Sequence, residues 1–207
     1  MVRVITFGRE YGSGGGSIAR LVGRRMNWRL IDDSLVANIA ERARATAAEI
    51  ESREESVDPW IHRIFKALWR GGFTGTATRT ELEACDAESV ARLWHAVILE
   101  AAEIGDCVVV GRGGQCLLQG RRDTFHVYVY APLAERMARL RARLPHGTDL
   151  AAAAHERDRR RCEYVRHYFG QDWTNAHLYH MMLCSSIGLE RAAETVIQAA
   201  GLSGASR

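Results

Sequence analysis

The stretch whose residue types and spacing come closest to chemistry is Phe7-Gly8-Arg9-Glu10-Tyr11-Gly12-Ser13-Gly14-Gly15-Gly16-Ser17, where four glycines fall within five residues. Without Cβ atoms, backbone N–H groups there can converge on an anion, and the positive end of a following helix adds to the attraction. Phosphate suits such a loop. The usual motif, GxxxxGK[ST], also supplies a lysine for the outer phosphates and a hydroxyl for magnesium. Here Gly15 follows Gly14, and the hydroxyl of Ser17 comes one residue later than that pattern allows. Lys66 is the only lysine in the chain, so positive charge at the loop has to come from arginine. Arg9, just before the glycines, has the reach to fold back over bound phosphates. The competing readings are a glycine-rich surface turn for the loop, an Arg9 paired with Glu10 or a strand-end carbonyl, and a Ser17 that merely caps the next helix.

Three further groups carry charge at suggestive places. Arg157 and Arg161 are one helical turn apart and share a face, with Asp158 beside them to orient them or to meet a ribose or base. A solvated helix face with local ion pairs is the alternative, and Arg159 and Arg160 read that way. Asp32 ends an apolar run and can act on a ligand or cap the helix beginning near Ser34. Arg112 sits in Gly111-Arg112-Gly113-Gly114 after a short apolar run. Tyr164, Tyr168 and Trp173 offer rings for a base, although core or lid packing is the commoner fate of such residues.

The elements that must position these groups alternate between strand-length apolar runs and helical patterns. Val2 to Phe7 reads as a strand, and Ile18, Leu21, Val22 and Met26 give the next segment one buried helical face. Strands are expected at Trp28 to Ile31, Cys107 to Val110, Phe125 to Tyr130 and Met181 to Cys184. Helices are expected through Leu35, Val36, Ile39 and Ala43; from Asp58-Pro59 through Trp69; from Asp86 through Ala101; after Pro132; from about Asp149 to Phe169; and through Ala193, Val196 and Ala200. Residues 70–79 have no periodicity and read as a connection. Ligands of open α/β sheets sit beyond the carboxyl ends of strands. The glycine loop, Asp32-Asp33 and Gly111 to Gly114 all follow such ends.

The chain's 207 residues fit one α/β domain with a sizeable core. Its net charge of +3 is small and spread over scattered arginines, which points to neither nucleic acid nor a membrane. The start has no signal-like apolar segment and no stretch is long enough to span a bilayer, so a cytoplasmic protein is expected. Five widely spaced cysteines, without a CxxC pair, read as reduced and mostly buried thiols.

On these residues the chain resembles the nucleoside monophosphate kinases, and among them the cytidylate kinases and especially the cytidylate kinase-like family, which carries a REYGSGG loop. The likeness covers Ile5 to Gly15, Leu30-Ile31-Asp32, Val109 to Gly113, Tyr128 to Arg136, Arg157 to Arg161, Tyr168 to Trp173 and Tyr179. It implies a P-loop NTPase-type α/β fold: a three-layer sandwich with a central parallel sheet, an acceptor-binding insertion over about residues 50–87 and a helical lid over about 145–172. It implies ATP with Mg2+ as phosphate donor, and a nucleoside monophosphate, CMP or a related pyrimidine nucleotide, as acceptor. By position, Gly12, Ser13, Gly14, Gly15, Gly16 and Ser17 hold ATP phosphates, with Ser17 toward magnesium; Asp32, Arg112, Arg157, Asp158 and Arg161 face the acceptor; and Arg9, Asp32, Arg157 and Arg161 serve catalysis. Two departures from the cytidylate kinases stand out: the loop lysine is gone, and Val110 precedes Gly111 where those enzymes carry an acidic residue. A nucleotide- or phosphometabolite-binding module without transfer chemistry is therefore the second reading. A dinucleotide-binding fold is the third, disfavoured because Ser17 stands where its pattern needs a glycine.

Overall fold

The computed structural model describes residues 1–35 and 87–202. By contact the chain divides into two units, one of residues 1–30 with 105–207 and one of residues 31–104. The expected elements at Val36 to Ala43 and from Asp58-Pro59, the connection 70–79, the Asp86 cap, Lys66, Cys85 and nearly all of the insertion over 50–87 lie outside the described residues.

Strands β1 (Val4–Arg9), β2 (Arg29–Ile31), β3 (Cys107–Val110), β4 (Thr124–Tyr130) and β5 (Met181–Cys184) form one sheet in the order β2-β3-β1-β4-β5. The ladders of β1 with β3, β1 with β4, and β4 with β5 all run parallel. Every residue of β3, and β1 from Val4 to Gly8, is buried. That is the environment a continuous Val/Ile run needs in a sheet covered on both faces. Because Phe7 pairs with Val110 in register, and Gly111 N–H donates to Phe7 O at 2.9 Å, the loops leaving β1 and β3 emerge side by side.

Helix α1 (Gly15–Met26) starts inside the glycine run. Together with α6 (Leu189–Ala199) it covers one face: Ile18, Ala19, Val22, Ala192, Ala193 and Val196 pack with Ile5, Phe7, Val108, Val127 and Val129. Side chains alternate across a strand, so Thr6, His126 and Tyr128 point to the other face. There Tyr128 packs with Val165 and Trp173, flanked by Cys116, Tyr164, Phe169 and Tyr179. This layer contains α3 (Gly114–Leu117) and α5 (Leu150–Phe169), whose Asp149 cap accepts from Ala152 N–H at 3.0 Å. Between β4 and α5 runs α4 (Leu133–Arg141), opened by Pro132. In the 31–104 unit, α2 (Ala87–Ile104) buries Ala91, Trp94, Val97, Ile98 and Ala101; of the apolar face expected from spacing, Val90, Leu93, Trp94, Val97, Ile98 and Ala101, Val90 is exposed and Leu93 half-buried.

The layers are those of a P-loop NTPase-type α/β fold. The short α3 and the two 3-10 turns, Ala176–Leu178 and Ser185–Ile187, carry no periodic signature and were not expected. The cysteines are less buried than their composition suggests: Cys107 is fully buried, whereas Cys116, Cys162 and Cys184 are half-buried, and all four are free thiols. Among the described residues no helix is long and apolar enough to cross a membrane.

Candidate functional site

The glycine loop owes its shape to two left-handed residues, Gly12 at φ 82° and Gly14 at φ 84°. An L side chain would be strained at either. Space enforces the same choice, since a Cβ on Gly14 would lie 2.7 Å from Leu189 Cδ2 and one on Gly15 would lie 2.6 Å from Arg9 Cβ. Nothing approaches Gly16 within 4 Å on its side-chain side.

The loop carbonyls are all engaged. Glu10 O accepts from Ser13 Oγ at 2.8 Å, Tyr11 O from Arg136 Nε at 2.8 Å, Gly12 O from Arg139 Nη1 at 3.5 Å and Ser13 O from Ser185 Oγ at 2.6 Å. Gly14 O takes the first helical bonds, from Ser17 N–H at 2.9 Å and Ile18 N–H at 3.0 Å. Among the described residues the N–H groups of Gly12, Gly14 and Gly16 make no hydrogen bond. A loop whose carbonyls are bonded while the amides of Gly12, Gly14 and Gly16 are left over, at the positive end of a twelve-residue helix, is an anion cradle.

Arg136 is the buried anchor of this arrangement, with only 6% of its surface exposed. Besides Tyr11 O, its guanidinium pairs with Asp158 and lies 3.4 Å from Glu10 Oε2. Asp158 Oδ1 in turn accepts from Tyr11 N–H at 2.7 Å and Arg161 Nη1 at 3.1 Å. Glu10 Oε2 accepts from Ala131 N–H at 3.1 Å. Burial, reinforced by the Glu10 and Asp158 carboxylates, raises the Tyr128 phenol well above its ordinary range, so it stays neutral beside these ions. The Tyr179 phenol is raised chiefly by burial too; it donates to Trp173 O at 2.6 Å, and a Cβ on Gly8 would lie 2.8 Å from its oxygen.

The structure brings most of the expected site residues to this edge. Arg9 lays its guanidinium against Gly111, where a Cβ would overlap Nη1, and Glu10 pairs with Arg136. Arg161 Nη1 reaches Arg9 O at 3.1 Å. Arg157 is exposed on α5, and its guanidinium carbon stands 5.8 Å from the Tyr11 ring centre. Arg112 adopts φ 54°, rare for a residue with a side chain, and stands 5.7 Å from the Tyr164 ring. Ser17 lies in the first turn of α1; Gly14 is the N-cap, without a side-chain bond. Asp158 spends both oxygens on bracing the loop. Asp32, in the other unit, accepts from Ser34 N–H at 3.1 Å, Ser34 Oγ at 2.6 Å and Leu35 N–H at 3.3 Å, a cap for residues 33–35. Trp173 is core, edge-on to Tyr128, whereas Arg159 and Arg160 pair with Glu156 on the surface.

Sequence reasoning missed Arg136, Arg139, Glu10 and Ser185. Ser185 had one available signal, its position just past the carboxyl end of a strand. Arg139 had its i,i+4 partner Glu135, whereas nothing local tied Arg136 to the loop, since Tyr11 and Arg136 are 125 residues apart.

The loop fits a polyphosphate. Among the described residues no group of three or more His, Cys, Asp or Glu could hold a metal ion. With the Ser13 and Ser185 hydroxyls already bonded to loop carbonyls, and Ser17 the hydroxyl the resemblance assigns to the ion, magnesium here would be held mainly by phosphate oxygens and water, as that ion favours.

The sequence profile of the cytidylate kinase-like family matches residues 4–187. No curated protein matches the chain. Solved structures with a similar fold include an uncharacterized protein from Eubacterium ventriosum, 17% identical with a TM-score of 0.68 over the whole of both chains. A shikimate kinase from Bacteroides thetaiotaomicron is 15% identical with a TM-score of 0.51, over 94% of this chain and 96% of that one. A shikimate kinase from Acinetobacter baumannii in complex with shikimate is 14% identical with a TM-score of 0.52, over 96% and 92%. At such identities the likeness is one of fold.

Proposed function

Because the chain belongs to the cytidylate kinase-like family, we propose that it transfers the γ-phosphate of ATP to a nucleoside monophosphate, CMP or a related pyrimidine nucleotide. The observation that carries this reading is the glycine loop, with its carbonyls bonded and the amides of Gly12, Gly14 and Gly16 unbonded. Such a cradle suits the β- and γ-phosphates of a triphosphate.

In the proposed reaction an acceptor phosphate oxygen forms a bond to the γ-phosphorus as its bond to the β–γ bridging oxygen breaks, leaving ADP and the phosphorylated acceptor. Transfer of this kind needs alignment and charge neutralisation more than covalent help. Gly12 to Ser17 hold the donor phosphates. Arg9, Arg157 and Arg161 replace the missing lysine in charge, and their planar forks match phosphate oxygens. Arg112, with Arg157 and Arg161, faces the acceptor, and Asp158 keeps Arg161 in place. Asp32 is assigned to the acceptor side by the family resemblance, in addition to its capping bond. Magnesium, when bound through Ser17 and the phosphates, supplies neutralisation of the bridging charge.

A coupled assay over nucleoside monophosphates with ATP and magnesium tests this. Turnover with a pyrimidine monophosphate, reduced on the order of a hundredfold or more in the Arg157→Ala, Arg161→Ala double variant, is expected. No acceptor turned over above that variant sinks the proposal. The absence of a loop lysine favours one second reading, a nucleotide-binding module without transfer. Calorimetric binding of ATP without turnover on any acceptor would select it.

A further inference from the structure

The main chain and the ring of Tyr11 are held by α4 or α5. Its N–H donates to Asp158, its C=O accepts from Arg136, and its ring stands 5.8 Å from the Arg157 guanidinium carbon and 5.6 Å from that of Arg161. No other aromatic residue lies within the phosphate-loop turn between β1 and α1. Two cations gathered at one ring repel each other, and the ring quadrupole offsets part of that repulsion. Arg157 is the exposed member and has its described contact with this ring alone. Arg161 is also tied to Asp158 and Arg9 O. Without the ring, Arg157 keeps only its own rotamer preferences to direct it.

We propose that Tyr11 is a positioning residue: its ring holds Arg157 and Arg161 over the glycine loop, so that the loop and α5 present amides and guanidinium groups to the same polyphosphate. This rests on the reading of Gly12 to Ser17 as a phosphate cradle. The ring acts through its face, so its hydroxyl is dispensable, and its main-chain bonds survive any side-chain change that leaves the backbone in place. Tyr11→Leu therefore removes the platform while keeping the Asp158 and Arg136 bonds, and Tyr11→Phe and Tyr11→Trp keep the platform.

The test uses the full chain and two readouts. Calorimetric titration with inorganic tripolyphosphate, and with ATP and magnesium, is expected to give Tyr11→Phe and Tyr11→Trp affinities close to the parent. Tyr11→Leu should lose roughly tenfold, the scale of one to two cation–π contacts. Leucine binding as tightly as tyrosine, or phenylalanine as weakened as leucine, overturns the proposal. The second readout does not depend on ligand: ring-current-shifted Nε–Hε resonances of Arg157 and Arg161, present in the parent and in Tyr11→Phe, should return toward ordinary positions in Tyr11→Leu. Shifted resonances that persist in Tyr11→Leu overturn the positioning role. If the parent binds neither probe, the phosphate-cradle reading fails, and the resonances alone still decide whether the ring holds the arginines.

Discussion

Arg9 and Gly111 show how one residue's identity depends on another's. The Arg9 guanidinium lies where a Gly111 side chain would have to be, and Gly111 also holds φ 81°. Gly111→Ala should therefore displace Arg9 and match the loss of transfer expected of Arg9→Ala, within about threefold in kcat/KM, since both remove one charge from the proposed phosphate site. Full activity in Gly111→Ala would show that Arg9 is not needed in that place. Arg136 is a different case, because its removal takes the guanidinium from two carboxylates, leaving Glu10 with Ala131 N–H and Asp158 with Arg161 and Tyr11 N–H, beside a buried phenol. Arg136→Ala should cost about 3 kcal/mol in urea unfolding, and the paired change with Asp158→Asn should cost less than the sum of the two. The glycine loop was readable in sequence because its chemistry is local, several glycines in a row. Arg136 was not, because its partners are 22 and 125 residues away and nothing in a helix of ordinary composition marks the arginine that turns inward.

At the level of elements, periodicity and caps predicted well wherever burial is one-sided or complete. The valine run of β3 falls where it is expected, Trp94, Val97, Ile98 and Ala101 of α2 are buried as their spacing implies, and α5 starts just after Asp149, where its charged stretch is expected to begin. The short α3 escaped notice because four residues cannot display a period, and its start depends on Gly113 at φ 69° packed under Phe169. The fate of the candidate rings depends on packing too: Trp173 takes the core role that its type made the commoner one, buried against Tyr128 by contacts that arise only when α5 folds back on the sheet. Asp149→Ala removes one exposed capping bond and should lower stability by about 1 kcal/mol in urea unfolding, with no change in Tyr11-dependent nucleotide affinity. A loss of affinity without a loss of stability would mean that the start of α5 reaches the ligand.

For the molecule as a whole, the sheet order could not be read from sequence, since β1 lies between β3 and β4 and each of those pairings spans more than a hundred residues. The buried face opposite α1 also makes stability depend on pH. The His126 ring bonds Thr6 Oγ1 through Nδ1 at 2.8 Å, and the His126 backbone N–H donates to His180 Nδ1 at 2.9 Å. Burial first, and the neighbouring His180 second, lower the His126 pKa to about 4. Burial also lowers His95, with the same sign. Between about pH 6.5, where an unfolded histidine takes up its proton, and about pH 4, the unfolded chain binds more protons than the folded one. Stability therefore falls as pH drops through that window and levels off below it, by about 2 to 3 kcal/mol for His126. Urea unfolding at pH 7, 5.5 and 4.5 should show this decline, and His126→Gln should flatten most of it; an equal decline in the variant would place its origin elsewhere.

The bonded carbonyls of the glycine loop also bear on rates. Turning over the peptide between Tyr11 and Gly12 would break the Arg136 bond to Tyr11 O and disturb the neighbouring Asp158 bond to Tyr11 N–H, so the empty loop has little freedom to rearrange. Nucleotide should then meet a loop already in its receptive shape, and association need not wait for a slow isomerisation. In stopped-flow mixing, the observed rate should rise in a straight line with nucleotide concentration, without a plateau.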